Sequence, residues 1–111
     1  MKRWWKGEVK GYYSHTLIGY ENVILWFEGK YLNWKKNGKG KEYDSFGLLI
    51  FEGEYLNGEK NGKGKEYYDN GPLKYEGEYL NGKRNGNGKE FNSEGNLIFE
   101  GKYLNGEREY E

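Results

Sequence analysis

From Phe27 onward, apolar and polar positions alternate in short bursts that end at Asn-Gly pairs. In Phe51-Glu52-Gly53-Glu54-Tyr55-Leu56 an aromatic, a glycine and a tyrosine stand at every second position, with glutamates between them. A two-residue period sends successive side chains to opposite faces of a strand, so the aromatic, Gly and Tyr share one face and the charges take the other. Each burst runs into two Asn-Gly pairs, Asn57-Gly58 and Asn61-Gly62, then Asn81-Gly82 and Asn85-Gly86. Asn and Gly tolerate positive φ, so this region is expected to reverse the chain as a hairpin. The predicted return strands are Gly38–Tyr43, Gly62–Tyr67 and Gly86–Phe91. A second turn is expected at Asp44–Gly47, Asp69–Pro72 and Ser93–Asn96.

The pattern repeats every 24 residues without a gap, giving units 27–50, 51–74 and 75–98 and a half unit 99–111. A fixed period of this length marks a stacked repeat architecture. The fold class it predicts is all-β: a single-layer, elongated antiparallel sheet of stacked β-hairpins. Residues 1–26 do not keep the phase and are read as a diverged N-terminal repeat or cap of two strands, since terminal repeats are commonly atypical. Within them, Trp5-Lys6-Gly7-Glu8-Val9 echoes the start of a repeat, and Val23-Ile24-Leu25-Trp26-Phe27 reads as a buried strand. Trp4, Trp5 and Tyr12 offer an alternative there, a partner-binding patch.

Gly29, Gly53 and Gly77, with Gly40, Gly64 and Gly88, recur at fixed phase inside predicted strands. Mid-strand glycine costs entropy and packs nothing, so its recurrence needs a reason. A bare backbone lets a Tyr or Phe ring from the paired strand lie over it. These glycines are therefore expected to be structural.

Composition alters this picture little. Leu, Ile, Val and Phe make up 21 of the 111 residues, near the level at which disorder is suspected. Periodic placement, a net charge of zero and 19% aromatic residues argue for a folded chain with a thin core. Balanced charge argues against a nucleic-acid partner, which requires a basic excess. The absence of cysteine rules out a disulfide framework and is compatible with a reducing compartment. A cytoplasmic location is the expectation, with a place at the periphery of membrane or cytoskeleton as an option within it.

The run Tyr75-Glu76-Gly77-Glu78-Tyr79 followed by Asn81-Gly82-Lys83-Arg84-Asn85-Gly86-Asn87-Gly88 resembles the MORN (membrane occupation and recognition nexus) repeat. The resemblance extends over Phe27–Glu111 and fails for 1–26, and Trp34 replaces the Gly of the first regular unit. It implies a twisted hairpin sheet with a groove lined by the aromatic and glycine rows. It also implies a scaffold that binds helical peptides or dimerises, with phospholipid binding as a further proposed role. Similar repeats occur beside lipid kinases and methyltransferases, and nothing in this chain resembles such a catalytic domain.

No residue set points to catalysis, a metal or a cofactor. His15 is the only histidine, so no multi-histidine metal site is available, and in the turn-like Ser14-His15-Thr16 it is read as a solvated loop residue. The glutamates recur in every unit (Glu28, Glu52, Glu76, Glu100; Glu42, Glu66, Glu90), as a solvated sheet face demands. A non-catalytic scaffold for protein–protein interaction is the expected function. Its expected contact strip is the tyrosine row Tyr31, Tyr55, Tyr79 and Tyr103, extended by Tyr43, Tyr67 and Phe91, because Tyr suits half-exposed recognition surfaces. The expected ligand is an amphipathic helix or an extended peptide. Lys41, Lys65 and Lys89 are second candidates, for anionic lipid headgroups, weakened by the interleaved glutamates. The half hairpin at the C-terminus predicts an open edge that forms a homodimer, takes a strand from a partner or continues into a longer array.

Overall fold

In the computed structural model, the backbone is described for residues 6–17 and 20–110, and side chains for Gly7 and 27–110. These residues form one antiparallel sheet of nine strands in chain order: β1 (Lys6–Leu17), β2 (Tyr20–Leu32), β3 (Lys35–Tyr43), β4 (Leu49–Leu56), β5 (Glu59–Tyr67), β6 (Leu73–Leu80), β7 (Lys83–Phe91), β8 (Leu97–Leu104) and β9 (Glu107–Arg108). The described residues contain no helix. The molecule is 16 Å across in its thinnest direction, as one layer requires.

Only the first Asn-Gly of each pair makes the reversal. Asn57 (φ 50°) and Gly58 (φ 88°) both adopt positive φ, as do Asn81-Gly82 and Asn105-Gly106, which is the two-residue turn that matches strand twist. The turns also stack: the Gly58 N–H donates to the Lys36 carbonyl at 2.9 Å, and the Gly82 N–H to that of Lys60 at 2.9 Å. The second Asn-Gly is not a turn. Gly62 (φ 97°) and Gly86 (φ 100°) lie inside β5 and β7. There the register against the preceding strand slips, from Gly53 opposite Gly64 to Tyr55 opposite Lys60. The extra residues form a bulge, which increases local twist. Return strands accordingly begin at Lys35, Glu59 and Lys83, three residues earlier than the spacing predicts. At the first turn Trp34 holds φ 67° where the other units place Gly.

The connecting turns differ from expectation by one residue in two units. Asp44 and its equivalents Tyr68 and Asn92 open the turn, each N–H bonding a carbonyl four residues on. Asp44 Oδ1 accepts from the N–H groups of Phe46 (2.9 Å) and Leu48 (3.0 Å), and Asn92 Oδ1 does the same for Glu94 and Asn96. Tyr68 has no such acceptor, and Pro72, at the place of Leu48, has no N–H to satisfy. The missing Pro72 N–H offsets one of the two bonds that Tyr68 cannot accept. Freed from the turn, the Tyr68 hydroxyl donates to the Phe91 carbonyl at 2.8 Å.

β1 corrects the reading of the N-terminus. Gly7 pairs with Tyr31, Val9 with Gly29 and Gly11 with Phe27, as Gly38, Gly40 and Glu42 pair with Tyr55, Gly53 and Phe51. The segment that echoes a repeat start therefore occupies the return-strand position. Two strands are present there, as expected. Trp4, Trp5, and the side chains of Tyr12 and His15 lie outside the described residues. At the C-terminus the chain turns back as β9, and the Glu109 N–H donates to the Lys102 carbonyl at 2.8 Å.

Phe27, Phe51 and Tyr75 are the most deeply buried side chains, at 0–1% exposure. Each ring covers the glycine of its own strand and the glycine opposite. A Cβ on Gly64 would stand 2.7 Å from Phe51 Cζ and 3.0 Å from Tyr79 Cε2. One on Gly58 would meet nothing within 4 Å. Gly64→Ala should therefore lower stability by about 1–3 kcal/mol through overpacking, and Gly64→Val by more. Gly58→Ala should cost about 1–2 kcal/mol from its positive φ alone. Urea midpoints with near-ultraviolet circular dichroism check this. Gly64→Ala should disturb the aromatic signal and Gly58→Ala should not; a Gly64→Ala protein as stable as the parent would contradict the ring-on-glycine packing.

Candidate functional site

The two faces of the sheet carry different chemistry. On one, aromatic rings zigzag along the stack in the order Tyr31, Phe27, Tyr55, Phe51, Tyr79, Tyr75, Tyr103, Phe99, Tyr110. Neighbouring rings meet edge to face with centroids 5.2–5.7 Å apart, the arrangement aromatic quadrupoles favour. Lys36, Lys60, Arg84 and Arg108 lie over this row, with the Lys60 ammonium 4.1 Å from the Phe51 centroid and the Arg84 guanidinium 4.3 Å from that of Tyr75. Glu42, Glu66 and Glu90 fit between them and accept the hydroxyls of Tyr55, Tyr79 and Tyr103. Arg84 clamps Glu66 in a fork (2.9 and 3.1 Å) and reaches Glu90 at 3.2 Å, and Arg108 clamps Glu90 likewise.

This arrangement overturns the expected half-exposed tyrosine strip. Tyr55, Tyr79 and Tyr103 are only 3–5% exposed, and Tyr31 packs against the same cluster. A single layer does leave two faces, but here the rings shield one another and the cations cover them. Of the remaining candidates, Tyr43, Tyr67 and Phe91 are half-buried, and the Tyr67 hydroxyl donates to Glu52, on the opposite face. They do not extend the tyrosine row.

That opposite face is a trough of about 1000 Å³. Its floor is the backbone of Gly40, Gly53, Gly64, Gly77, Gly88 and Gly101, and its sides are glutamates and lysines. The family resemblance implied a groove lined by aromatic and glycine rows; this trough is floored by glycine and walled by charges, and the aromatic positions fall on the other face. Along one side, Glu28, Lys41, Glu52, Lys65, Glu76, Lys89 and Glu100 stand opposite one another strand by strand. Lys65 pairs with Glu76 at 3.5 Å and Lys89 with Glu100 at 3.8 Å. Two of the three lysines considered for lipid headgroups are therefore already engaged. On the other side, Glu54 Oε2 accepts the Lys63 N–H at 2.7 Å and Glu78 Oε2 the Asn87 N–H at 2.6 Å, each at a bulge. The alternation of charges was legible in the sequence; nothing in it indicated that these rows, rather than the tyrosines, would border the concavity.

Two carboxylates of the aromatic face, Glu66 and Glu90, are held ionised. Burial opposes this for Glu66, but hydrogen bonds from Arg84 and Tyr79 outweigh it and lower its pKa. For Glu90, hydrogen bonding from Arg108, aided by Tyr103 and opposed by burial, brings the pKa down to about 2. The tyrosines move the other way. Burial, reinforced by the hydrogen bond to Glu66, pushes Tyr79 well above its usual range, and burial raises Tyr75 to about 12.

Comparison with protein-family models matches residues 51–72 and 75–96 to the MORN repeat. None of the curated proteins compared with the chain matches it.

A depressed carboxylate pKa adds stability that is fully present above the unfolded value near 4.5 and is lost as pH falls toward about 2. Urea midpoints should therefore fall between pH 4.5 and 2, and Glu90→Gln should flatten part of that fall. A raised tyrosine pKa acts in the opposite direction, with stability present below pH 10 and lost as pH rises past about 12. Tyrosinate absorbance should accordingly rise together with unfolding. Replacing a ring tests the core assignment: Tyr79→Ala should cost about 3–5 kcal/mol, whereas Tyr79→Phe, which keeps the ring, should cost about 1–3 kcal/mol for the hydroxyl's bond to a charged group. An Ala variant with unchanged stability would remove Tyr79 from the core.

Proposed function

Since residues 51–72 and 75–96 are two adjacent MORN repeats, we propose that the chain is a non-catalytic interaction module that holds a segment of another protein in the charged trough. The observation that carries this reading is the trough itself: about 1000 Å³ of open concavity, floored by bare backbone that lets a guest approach closely. Its paired rows of opposite charge read a guest's charge pattern, which confers specificity more than affinity. A segment running along it crosses the strands, so it meets equivalent side chains once per hairpin, about every 9.6 Å at two strand spacings. An α-helix returns to the same face every seven residues, about 10.5 Å on. An extended segment in the polyproline II form returns to the same face every three residues, about 9.3 Å on. Helical and extended guests therefore both suit the period.

Phospholipid binding is the second reading. Lys41 and the other exposed lysines favour it, and the neutral overall charge and the Lys65–Glu76 and Lys89–Glu100 pairs weigh against it. No helix among the described residues is long and apolar enough to cross a membrane, which says nothing of strands.

Affinity purification from source cells with quantitative mass spectrometry tests the proposal. A protein captured by the parent should be lost, at least tenfold, from a variant carrying Lys41→Glu, Lys65→Glu and Lys89→Glu with unchanged circular dichroism. It should be retained by Lys74→Glu, which alters a lysine that does not line the trough. Equal capture by parent and trough variant would overturn the reading. Pelleting with phosphatidylserine vesicles, lost in the same variant, would favour the lipid reading.

A further inference from the structure

The repeats act as internal controls for one another, and one of them lacks a group that the others supply. In the second and third regular units the bulge glycine, Gly62 or Gly86, is followed by an N–H that points at a glutamate on the neighbouring strand. Glu54 and Glu78 fill that place so closely that a Cβ on either glycine would collide with their Oε2 atoms. The backbone there is shaped to receive a carboxylate oxygen, as successive amides at bulges and turns commonly receive anions.

In the first regular unit the same bulge occurs: Gly38 has φ 95°, and the register slips between Gly29 and Tyr31 as it does between Gly53 and Tyr55. The residue at the position of Glu54 and Glu78 is, however, Lys30. Its stem passes Gly38 at ordinary contact distance, with Cδ 3.5 Å and Cβ 3.6 Å from where a Cβ would be. No side-chain acceptor meets the Lys39 N–H among the described residues. The same hairpin carries Lys39 and Lys41 on the trough wall. Lys30, Lys39 and Lys41 are exposed, and none makes an ion pair among the described residues, whereas Lys65 and Lys89 do. One hairpin therefore combines a carboxylate-shaped amide pocket without its carboxylate and three lysines that, although carboxylates stand opposite Lys39 and Lys41 in the register, close no ion pair among the described residues.

We propose that the Lys39 amide, with the Lys30, Lys39 and Lys41 ammonium groups on the same hairpin, is the seat for a carboxylate carried by an acidic residue of the segment held in the trough. The inference rests on the interaction-module reading and sharpens it. The guest's acidic position lies over the first regular hairpin, and the guest supplies from outside what Glu54 and Glu78 supply from within. Charge-assisted bonds of this kind are short and about twice as strong as neutral ones, so one such contact also sets the register and direction of the guest along an otherwise repetitive surface.

The test uses the full, ¹⁵N-labelled chain titrated with sodium acetate at constant ionic strength. The Lys39 amide resonance should shift saturably, while those of Lys63 and Asn87, already capped, should hold still. Lys30→Glu, which installs the residue found in the other units, should move the Lys39 resonance toward the position of Lys63 and weaken the acetate response at least tenfold. An unresponsive Lys39 amide, or a response unchanged by Lys30→Glu, would overturn the proposal. So would a response to inorganic phosphate without one to acetate, which would indicate a phosphate-bearing ligand, or binding to phosphatidylserine vesicles abolished by Lys30→Glu without any acetate response, which would indicate a membrane surface. Failure here leaves the interaction module standing, because that is judged by partner loss in the trough variant. Failure of that experiment with a saturable acetate shift would instead remove the guest and keep the seat.

Discussion

The contact between an aromatic ring and a strand backbone without a Cβ governs this fold. Phe51 rests on Gly53 and Gly64, and Tyr79 from the next hairpin closes over Gly64 from the other side. Each ring thus ties its own hairpin to the following one, which is how a sheet only one layer thick acquires a core. Packing here is a one-dimensional chain of nearest-neighbour contacts, as in other repeat arrays. Phe99, which opens the half unit, lacks a following full hairpin among the described residues. Arg108 and Tyr110 from the tail take the places that Arg84 and Tyr103 hold against Tyr75.

The same contact divides the labour between the faces. Because the rings need the glycine side of the sheet, the residues between them are left to form a surface with no apolar filling at its centre. The backbone sinks between two rows of long charged side chains, and a trough results. The cations on the aromatic face belong to the core, not to the site: Arg84 seals Tyr75 from water while holding Glu66 and Glu90, so its charge is spent inside the structure. The half-exposed leucines Leu56, Leu80 and Leu104 lie two positions beyond the trough wall on each outgoing strand. They give the same face an apolar margin beside its charges.

Departures from the repeat are informative because the regular units define what each position is for. Pro72 removes an N–H and Tyr68 removes its acceptor, so the turn is conserved in shape with different chemistry. Lys30 removes an acceptor without removing the N–H it would serve. The first is a partly compensated exchange inside the structure; the second leaves a bulge amide that no side chain of the described residues caps.

Much was settled by the sequence alone. The 24-residue period, the two-residue alternation and the Asn-Gly pairs determined an all-β stack of hairpins whose outgoing strands turn the aromatic row to one face and Glu52 and Glu54 with their equivalents to the other, because strand periodicity and positive-φ turns are local properties. Which Asn-Gly turns the chain and which forms a bulge was decided only by tertiary structure, since both pairs satisfy the same local rule and strand pairing selects between them. Exposure was likewise beyond the sequence. Tyr55 and Tyr79 look like recognition residues until the rings of neighbouring hairpins and the overlying cations are in place. The groups left facing outward are set by three-dimensional stacking, because burial is a property of neighbours that the chain brings together only when it folds.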